Sequence, residues 1–357
     1  MSKRILVLIL IPVSLLLTMY ARFNLSFAEY YALKIYPVFA ESISFFTSKF
    51  KFSLAEFIII ALIITIIICM IFVLIKTITE KSSIYIKNFF LNMAAALSII
   101  YFLFVLFGGI NYYRNEFTYY SGLEIKESST KELIELCEML INDANEQRAN
   151  LKTDSEGTAE IFDVDYNKTT ERARKSFDNI SQKYQVLKGS YPAPKPVLNS
   201  KFMSQMRITG VFFPFTFEAN VNVDIPKYQV PATMLHELAH LRGFMREDEA
   251  NFISYMASIN SGFNDFEYSG TMLALSYSMS ALYKEDKESF TKLYNMYSND
   301  VKNDLRYSSN YWKQFETKVA EISNKVNDSY LKVNNQEDGV KSYGRMVDLL
   351  LAYYSKD

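Results

Sequence analysis

Three stretches of this chain are too long and too apolar to be core helices of a water-soluble fold, and they dictate how everything else can be arranged. Residues 5–21 (ILVLILIPVSLLLTMYA) carry no charge and follow Lys3 and Arg4. Residues 54–75 are Ile-rich and uncharged after Glu56, and residues 89–110 carry no charge at all. At about 1.5 Å of rise per residue, some 20 residues cross roughly 30 Å of hydrocarbon, and the first stretch sits at the short end of that range. All three are expected to be transmembrane helices. The first reads as an uncleaved anchor: a cleaved signal peptide wants small residues at positions −1 and −3, and Met19-Tyr20-Ala21 supplies only one. Pro12 is tolerable there because neighbouring groups can serve the carbonyl it leaves free.

Charge divides the chain the same way. Residues 1–113 hold nine basic and four acidic side chains, whereas 114–357 hold 29 and 35, a net of −6. The expected organisation is a membrane domain at 1–113 and a polar domain at 114–357. A nucleic-acid surface needs clustered Lys and Arg facing phosphates, so the mildly acidic polar part excludes that class. Two cysteines, Cys69 and Cys137, exclude a disulfide scaffold and a Cys-based zinc module. Lys3, Arg4, Lys76, Lys81 and Lys87 flank the spans on one side; Arg22, Lys34, Lys49 and Lys51 are spread over the longer loop on the other. The positive-inside rule then puts the N-terminus in the cytoplasm. Residues after about 111 fall outside it, as in a multi-pass protein of the cell membrane. The 22–53 loop is aromatic and amphipathic, which suits packing at the lipid interface.

Beyond the membrane, residues 129–152 predict an amphipathic helix. Ser129 stands at its start, and Leu133, Leu136, Cys137, Leu140, Ile141 and Ala144 line one face. Cys137 is expected to be a buried, unreactive thiol. A second helix is expected over 167–187, and the Pro-rich run at 191–196 must be extended. Strands are expected at 211–217, with Pro214 arguing for an edge, and at 219–224. The remainder reads as helices over 231–243, 246–260, 270–284, 286–304, 308–326 and 338–355.

The chain has two histidines, and they stand four residues apart in His236-Glu237-Leu238-Ala239-His240. On a helix, positions i and i+4 share a face, so both imidazoles can reach one ion. Glu237, about 100° round the helix, can hold a water there without being a ligand. Two histidines placed at random in 357 positions fall four apart about once in 180 trials; with a Glu next to the first, the coincidence is roughly one in three thousand. Pro231 and Thr233 suit a helix start, and Gly243 can end the helix. A catalytic zinc usually takes three protein ligands. Without a third histidine or a suitable cysteine, the third must be a carboxylate, and Glu247, Asp248 and Glu249 follow within one turn of the next helix.

Here the sequence resembles the zincin metallopeptidases of the HExxH-plus-Glu (gluzincin-like) kind, whose second helix carries Glu-x-x-Ala-Asp or a close relative. The resemblance implies Glu247 as third metal ligand, Ala250 as the small residue at the helix crossing, and Asn251 in place of the Asp that orients a zinc-bound histidine. Asn departs from the pattern: it still accepts an N–H bond but brings no charge. Glu249 is the alternative ligand. The whole chain is also similar to an uncharacterised bacterial family of membrane-anchored HExxH proteins, a domain of unknown function. That similarity is carried by Ile35-Tyr36-Pro37, 52–56, Asn111-Tyr112-Tyr113-Arg114, 218–222, 236–252, Tyr268-Ser269-Gly270 and 339–345.

The fold these readings imply is a three-helix membrane anchor followed by a mostly helical α+β zincin-like domain with a small edge sheet. Its expected function is zinc-dependent peptide hydrolysis near the membrane surface, with His236, His240 and Glu247 holding one Zn2+ and Glu237 acting as general base on the zinc-activated water. The 211–224 segment would pair with an extended peptide or protein substrate. Tyr268, Tyr343 and Arg345 are candidates to stabilise the oxyanion, although a buried structural Tyr or a surface Arg is the commoner fate of such residues. A zinc-containing membrane sensor or assembly factor that binds peptides without turnover is the competing reading; the presence of Glu237, which a structural site does not need, favours the enzyme. Intramembrane proteolysis fits poorly, because 231–256 carries Arg242, Arg246, Glu247, Asp248 and Glu249, too much charge for a lipid-embedded helix pair.

Overall fold

The computed structural model describes residues 3–161, 166–333 and 345–355. The chain divides into two compact units. One comprises residues 1–115 with 213–218, and the other comprises 116–212 with 219–357.

The first unit is helical: α1 (Leu10–Phe23), α2 (Tyr36–Thr47), α3 (Leu54–Thr79) and α4 (Ile84–Phe107). Three stretches, Arg4–Phe23, Leu54–Thr79 and Ile84–Phe107, are long and apolar enough to cross a membrane. Along α3, Ile58, Ile59, Ile60 and Leu62, which point to different sides of the helix, all stand open. A helix that is apolar on every side and uncovered suits hydrocarbon rather than water. The third span differs from expectation at both ends: it begins at Ile84, bringing Lys87 into its first turn, and stops at Phe107, where Gly108 leads into a 3-10 turn over Gly109–Tyr113. Pro12 leaves its mark as a turn at residues 8–9, and the Leu8 carbonyl, which Pro12 cannot serve, accepts from Ile11 N at 3.1 Å.

The 22–53 segment is mostly helix rather than loop. Leu25–Tyr30 runs into a π turn over Tyr31–Ile35 just ahead of Pro37, and α2 follows. The widened turn lets Tyr36 N reach Tyr31 O where proline interrupts the normal ladder. Residues 213–218 pack in this unit. Phe217 meets Tyr36 and Phe107 at ring separations of 5.6 and 5.3 Å, and Ser44 Oγ donates to its carbonyl. The buried Glu218 carboxylate accepts from Leu54 N and Ala55 N, and a negative charge at a helix N-terminus also opposes the dipole.

The second unit holds α5 (Thr130–Ala149), α6 (Tyr166–Lys183), α7 (Val230–Leu241), α8 (Glu247–Ile259), α9 (Asn264–Glu285), α10 (Lys287–Met296), α11 (Asn299–Lys313), α12 (Lys318–Val333) and α13 (Met346–Tyr354). Ser129 and Glu132 form a reciprocal capping box at α5, whose apolar face, Cys137 included, is buried. Burial pushes the Cys137 thiol up to about 12, so it is inert. The centre of the unit is the mutual packing of α7, α8 and α9, with α5 laid along α9.

Several helices depart from their expected bounds. α9 starts at Asn264 rather than 270, taking Gly270 into its interior where the Ser258 side chain of α8 presses against it. The single helix expected over 286–304 breaks after Met296, because Ser298 caps a new one through Val301 N. α11 then ends at Lys313 and α12 starts at Lys318, so the expected 308–326 helix is two pieces. Of the expected 338–355 helix, residues 338–344 lie outside the described ones.

A three-stranded sheet of order β1-β3-β2 is built from β1 (Lys195–Pro196), β2 (Gly210–Phe213) and β3 (Glu218–Val221), with β1 parallel to β3. Both hairpin strands are shorter than expected. Pro214 has no N–H to offer a ladder, and a turn closed at Phe217, with φ +48°, takes the residues between. β2 is an edge strand. Arg242, at the end of α7, stacks on Phe177 and Tyr191 at 4.0 and 4.7 Å and donates to Leu187 O and Leu238 O, which ties α7 to α6 and the Pro-rich run.

Candidate metal centre

The HELAH residues lie on α7, which has Pro231 in its first turn and is buried over most of its length. Gly243 follows at φ +84°, a conformation that suits glycine, and the chain reverses through Phe244 and Met245 into α8, whose first residue is Glu247. This reversal brings the two helices together.

His236, His240 and Glu247 present one ligand atom each, all within 4.8 Å of one another. His236 Nε2 stands 3.0 Å from His240 Nε2 and 3.2 Å from Glu247 Oε2, and His240 Nε2 is 3.8 Å from Glu247 Oε1. Two ligands at about 2.0–2.1 Å from a tetrahedral ion stand roughly 3.3–3.4 Å apart, so three such groups fit a zinc-sized cation. The other ring nitrogens are fixed as well. His240 Nδ1 is 2.7 Å from the Phe244 carbonyl, which can only accept, so that nitrogen carries the proton and leaves Nε2 as the lone pair. His236 Nδ1 lies 2.9 Å from Asn251 Oδ1, the oxygen end of an amide in the same role.

Electrostatics separates the two imidazoles. Burial by itself disfavours a charged His236, but its hydrogen bond to Glu247 and that carboxylate's charge overcome it and hold the pKa up at about 9. His240 is pushed down to about 4 by burial and then by the neighbouring His236. Burial would raise Glu247; the bond from His236 and the charge of both rings win, and it is lowered. One proton on His236 therefore does what a cation does better, holding an ionised carboxylate against two rings.

Glu237 is also buried, and burial raises its carboxyl to about 8. It accepts from the Phe212 backbone of β2, while Oε2 has no hydrogen-bond partner. That carboxyl is next in sequence to His236 and feels the charges of His236 and Glu247, so a buried oxygen without a partner is where a water would sit. Gly210, in the same strand, makes room: a Cβ there would collide with Glu237 Cγ and Cδ.

The other sequence candidates lie elsewhere. Glu249 points away from the histidines, accepting from Phe117 N at 2.6 Å and pairing with Arg246 at 3.3 Å. Tyr268 is fully buried and donates to Asp304 Oδ2 at 2.7 Å, in a cluster with Arg148, so it is a core residue and not an oxyanion donor. Arg345 acts on Asp248 and Asp348, offsetting part of the rise that burial gives both carboxyls. Tyr343 lies outside the described residues. Two contributors went unread in the sequence: Gly210, and Tyr277 of α9, whose hydroxyl meets Asn251 Nδ2 at 3.1 Å. No motif marks either, because each is defined by a partner 26 or more residues away.

No curated protein and no solved structure matches the chain. The family described as "protein of unknown function (DUF3810)" matches residues 31–351, and the chain belongs to that family.

Proposed function

We propose that this protein is a membrane-anchored zinc metallopeptidase whose 114–357 domain works outside the cytoplasm, on peptide or protein substrates near the bilayer. The observation that carries this reading is the bare Glu237 Oε2 beside the convergent His236, His240 and Glu247. A purely structural zinc site closes its fourth position with protein and has no use for a buried carboxylate at its side. His236, His240 and Glu247 would hold the ion, which when bound supplies Lewis acidity towards a carbonyl and makes a water acidic near neutrality. The dication's charge would bring Glu237 below its value of about 8, so that it is ionised at neutral pH and able to take a proton on Oε2. The same oxygen would then hand that proton to the leaving amine nitrogen. The Phe212 N–H holds the carboxylate in place, and edge strand β2 is available to pair with an extended substrate. Extracytoplasmic placement rests on the Lys and Arg asymmetry around the spans.

The test is a proteomic comparison of peptides released by cells carrying the intact protein, Glu237→Gln or His236→Ala. Both variants should lose the same set of peptides. A Glu237→Gln protein that behaves as wild type while His236→Ala fails would make the site a zinc-stabilised sensor or scaffold instead.

A further inference from the structure

We infer that Tyr277 is a positioning residue of the metal centre, accepting the hydrogen bond that lets the Asn251 amide turn its carbonyl to His236. This rests on the metal-binding reading above. For His236 Nε2 to serve a cation, its Nδ1 must carry the proton, so the group facing Nδ1 must accept. The Phe244 carbonyl that faces His240 can do nothing else. The side chain facing His236 is an amide, with one accepting end and one donating end. Oδ1 meets His236 Nδ1 at 2.9 Å, which sends Nδ2 the other way. Asn251 is buried, so this N–H cannot be left to bulk water, and Tyr277 Oη receives it at 3.1 Å.

An Asp at position 251 would offer two accepting oxygens and have no donor to satisfy; Asn creates the requirement that Tyr277 meets. Without the phenol oxygen, the Nδ2 group is driven to turn towards His236. There it needs an unprotonated Nδ1, which puts the ring proton on Nε2, the nitrogen meant for the metal. Tyr277→Phe keeps the ring and removes the hydroxyl, and with it the acceptor for Asn251 Nδ2.

The experiment measures zinc dissociation constants by competition with a chromophoric chelator on the full-length, detergent-solubilised protein. The forms compared are wild type, Tyr277→Phe, Asn251→Ala and the double variant. Tyr277→Phe should weaken zinc binding about tenfold, the scale of lost outer-shell hydrogen bonds to ligands. In the Asn251→Ala background the same change should cost less than about twofold, because no amide remains to be turned. A tenfold loss in both backgrounds would mean that Tyr277 acts by packing, and no loss in either would remove it from the site; each overturns the proposal. A wild-type chain that takes up no zinc would overturn the metal reading itself, an outcome distinct from a zinc-binding protein indifferent to position 277.

Discussion

The side chain of Glu237 occupies the space that a β-carbon at Gly210 would need: a Cβ built there lies 2.7 Å from Glu237 Cγ and 2.8 Å from Cδ. The strand approaches the helix this closely because residue 210 has no side chain, and the closeness is what lets the Phe212 backbone hold the carboxylate. Gly210→Ala should push Glu237 out of place while sparing His236, His240 and Glu247. We expect turnover to fall about a hundredfold, the usual effect of displacing a reacting group by an ångström or so, with zinc content unchanged. Parallel turnover and elemental measurements check it; full activity in the Ala variant would mean that the position of Glu237 does not matter.

Zinc affinity should rise with pH. In the metal-free protein His236 keeps its proton up to about 9, since the Glu247 carboxylate more than offsets the effect of burial. Zinc must displace that proton, so from neutral pH towards 9 the apparent affinity should climb by up to about tenfold per unit and then level off. Glu237, held at about 8 chiefly by burial, adds in the same direction because a nearby dication favours its ionised form. Chelator competition at several pH values measures the slope, and an affinity independent of pH between 7 and 8.5 would contradict the arrangement of charges.

Tyr268 should matter to stability and not to zinc. Arg148 and Asp304 form an ion pair at 2.7 Å with both side chains sealed from solvent, the Tyr268 hydroxyl shares the same carboxylate oxygen, and Ala159 N donates to the other. Asp304→Ala strands a buried guanidinium and should cost about 3–5 kcal/mol. Tyr268→Phe removes one hydrogen bond and should cost about 1–3 kcal/mol. Denaturation of the detergent-solubilised protein reads both. Loss of turnover in Tyr268→Phe without loss of stability would return Tyr268 to the list of oxyanion donors.

What the sequence made legible was local. His236 and His240 are one helical turn apart, so their common face follows from spacing alone. The short reversal at Gly243 offers three carboxylates, of which the zincin resemblance implies Glu247, and the Ser129 cap and the membrane-length helices follow from composition within a single element. The features that escaped are contacts between distant segments. Glu218 caps α3 across more than 160 residues, and the Gly210–Glu237 and Asn251–Tyr277 contacts join segments with no shared periodicity. Tyr268 takes the buried structural role rather than the catalytic one for the same reason: its Asp304 partner, 36 residues on, cannot be seen from Tyr268-Ser269-Gly270. The β-branched and aromatic residues around Pro214 read as one run and suggest longer strands, whereas Phe217 is spent on packing against Tyr36 and Phe107.

The central claim, a cation held by His236, His240 and Glu247, is tested most directly by the zinc content of the purified full-length protein and two single variants. The wild-type chain should carry about one zinc, as a three-ligand site with an open position does. Glu247→Ala should lose most of it, and Glu249→Ala, whose carboxylate is engaged with Phe117 N and Arg246, should keep it. Wild-type protein devoid of transition metal after zinc supplementation, or zinc lost from Glu249→Ala and retained in Glu247→Ala, would contradict the account.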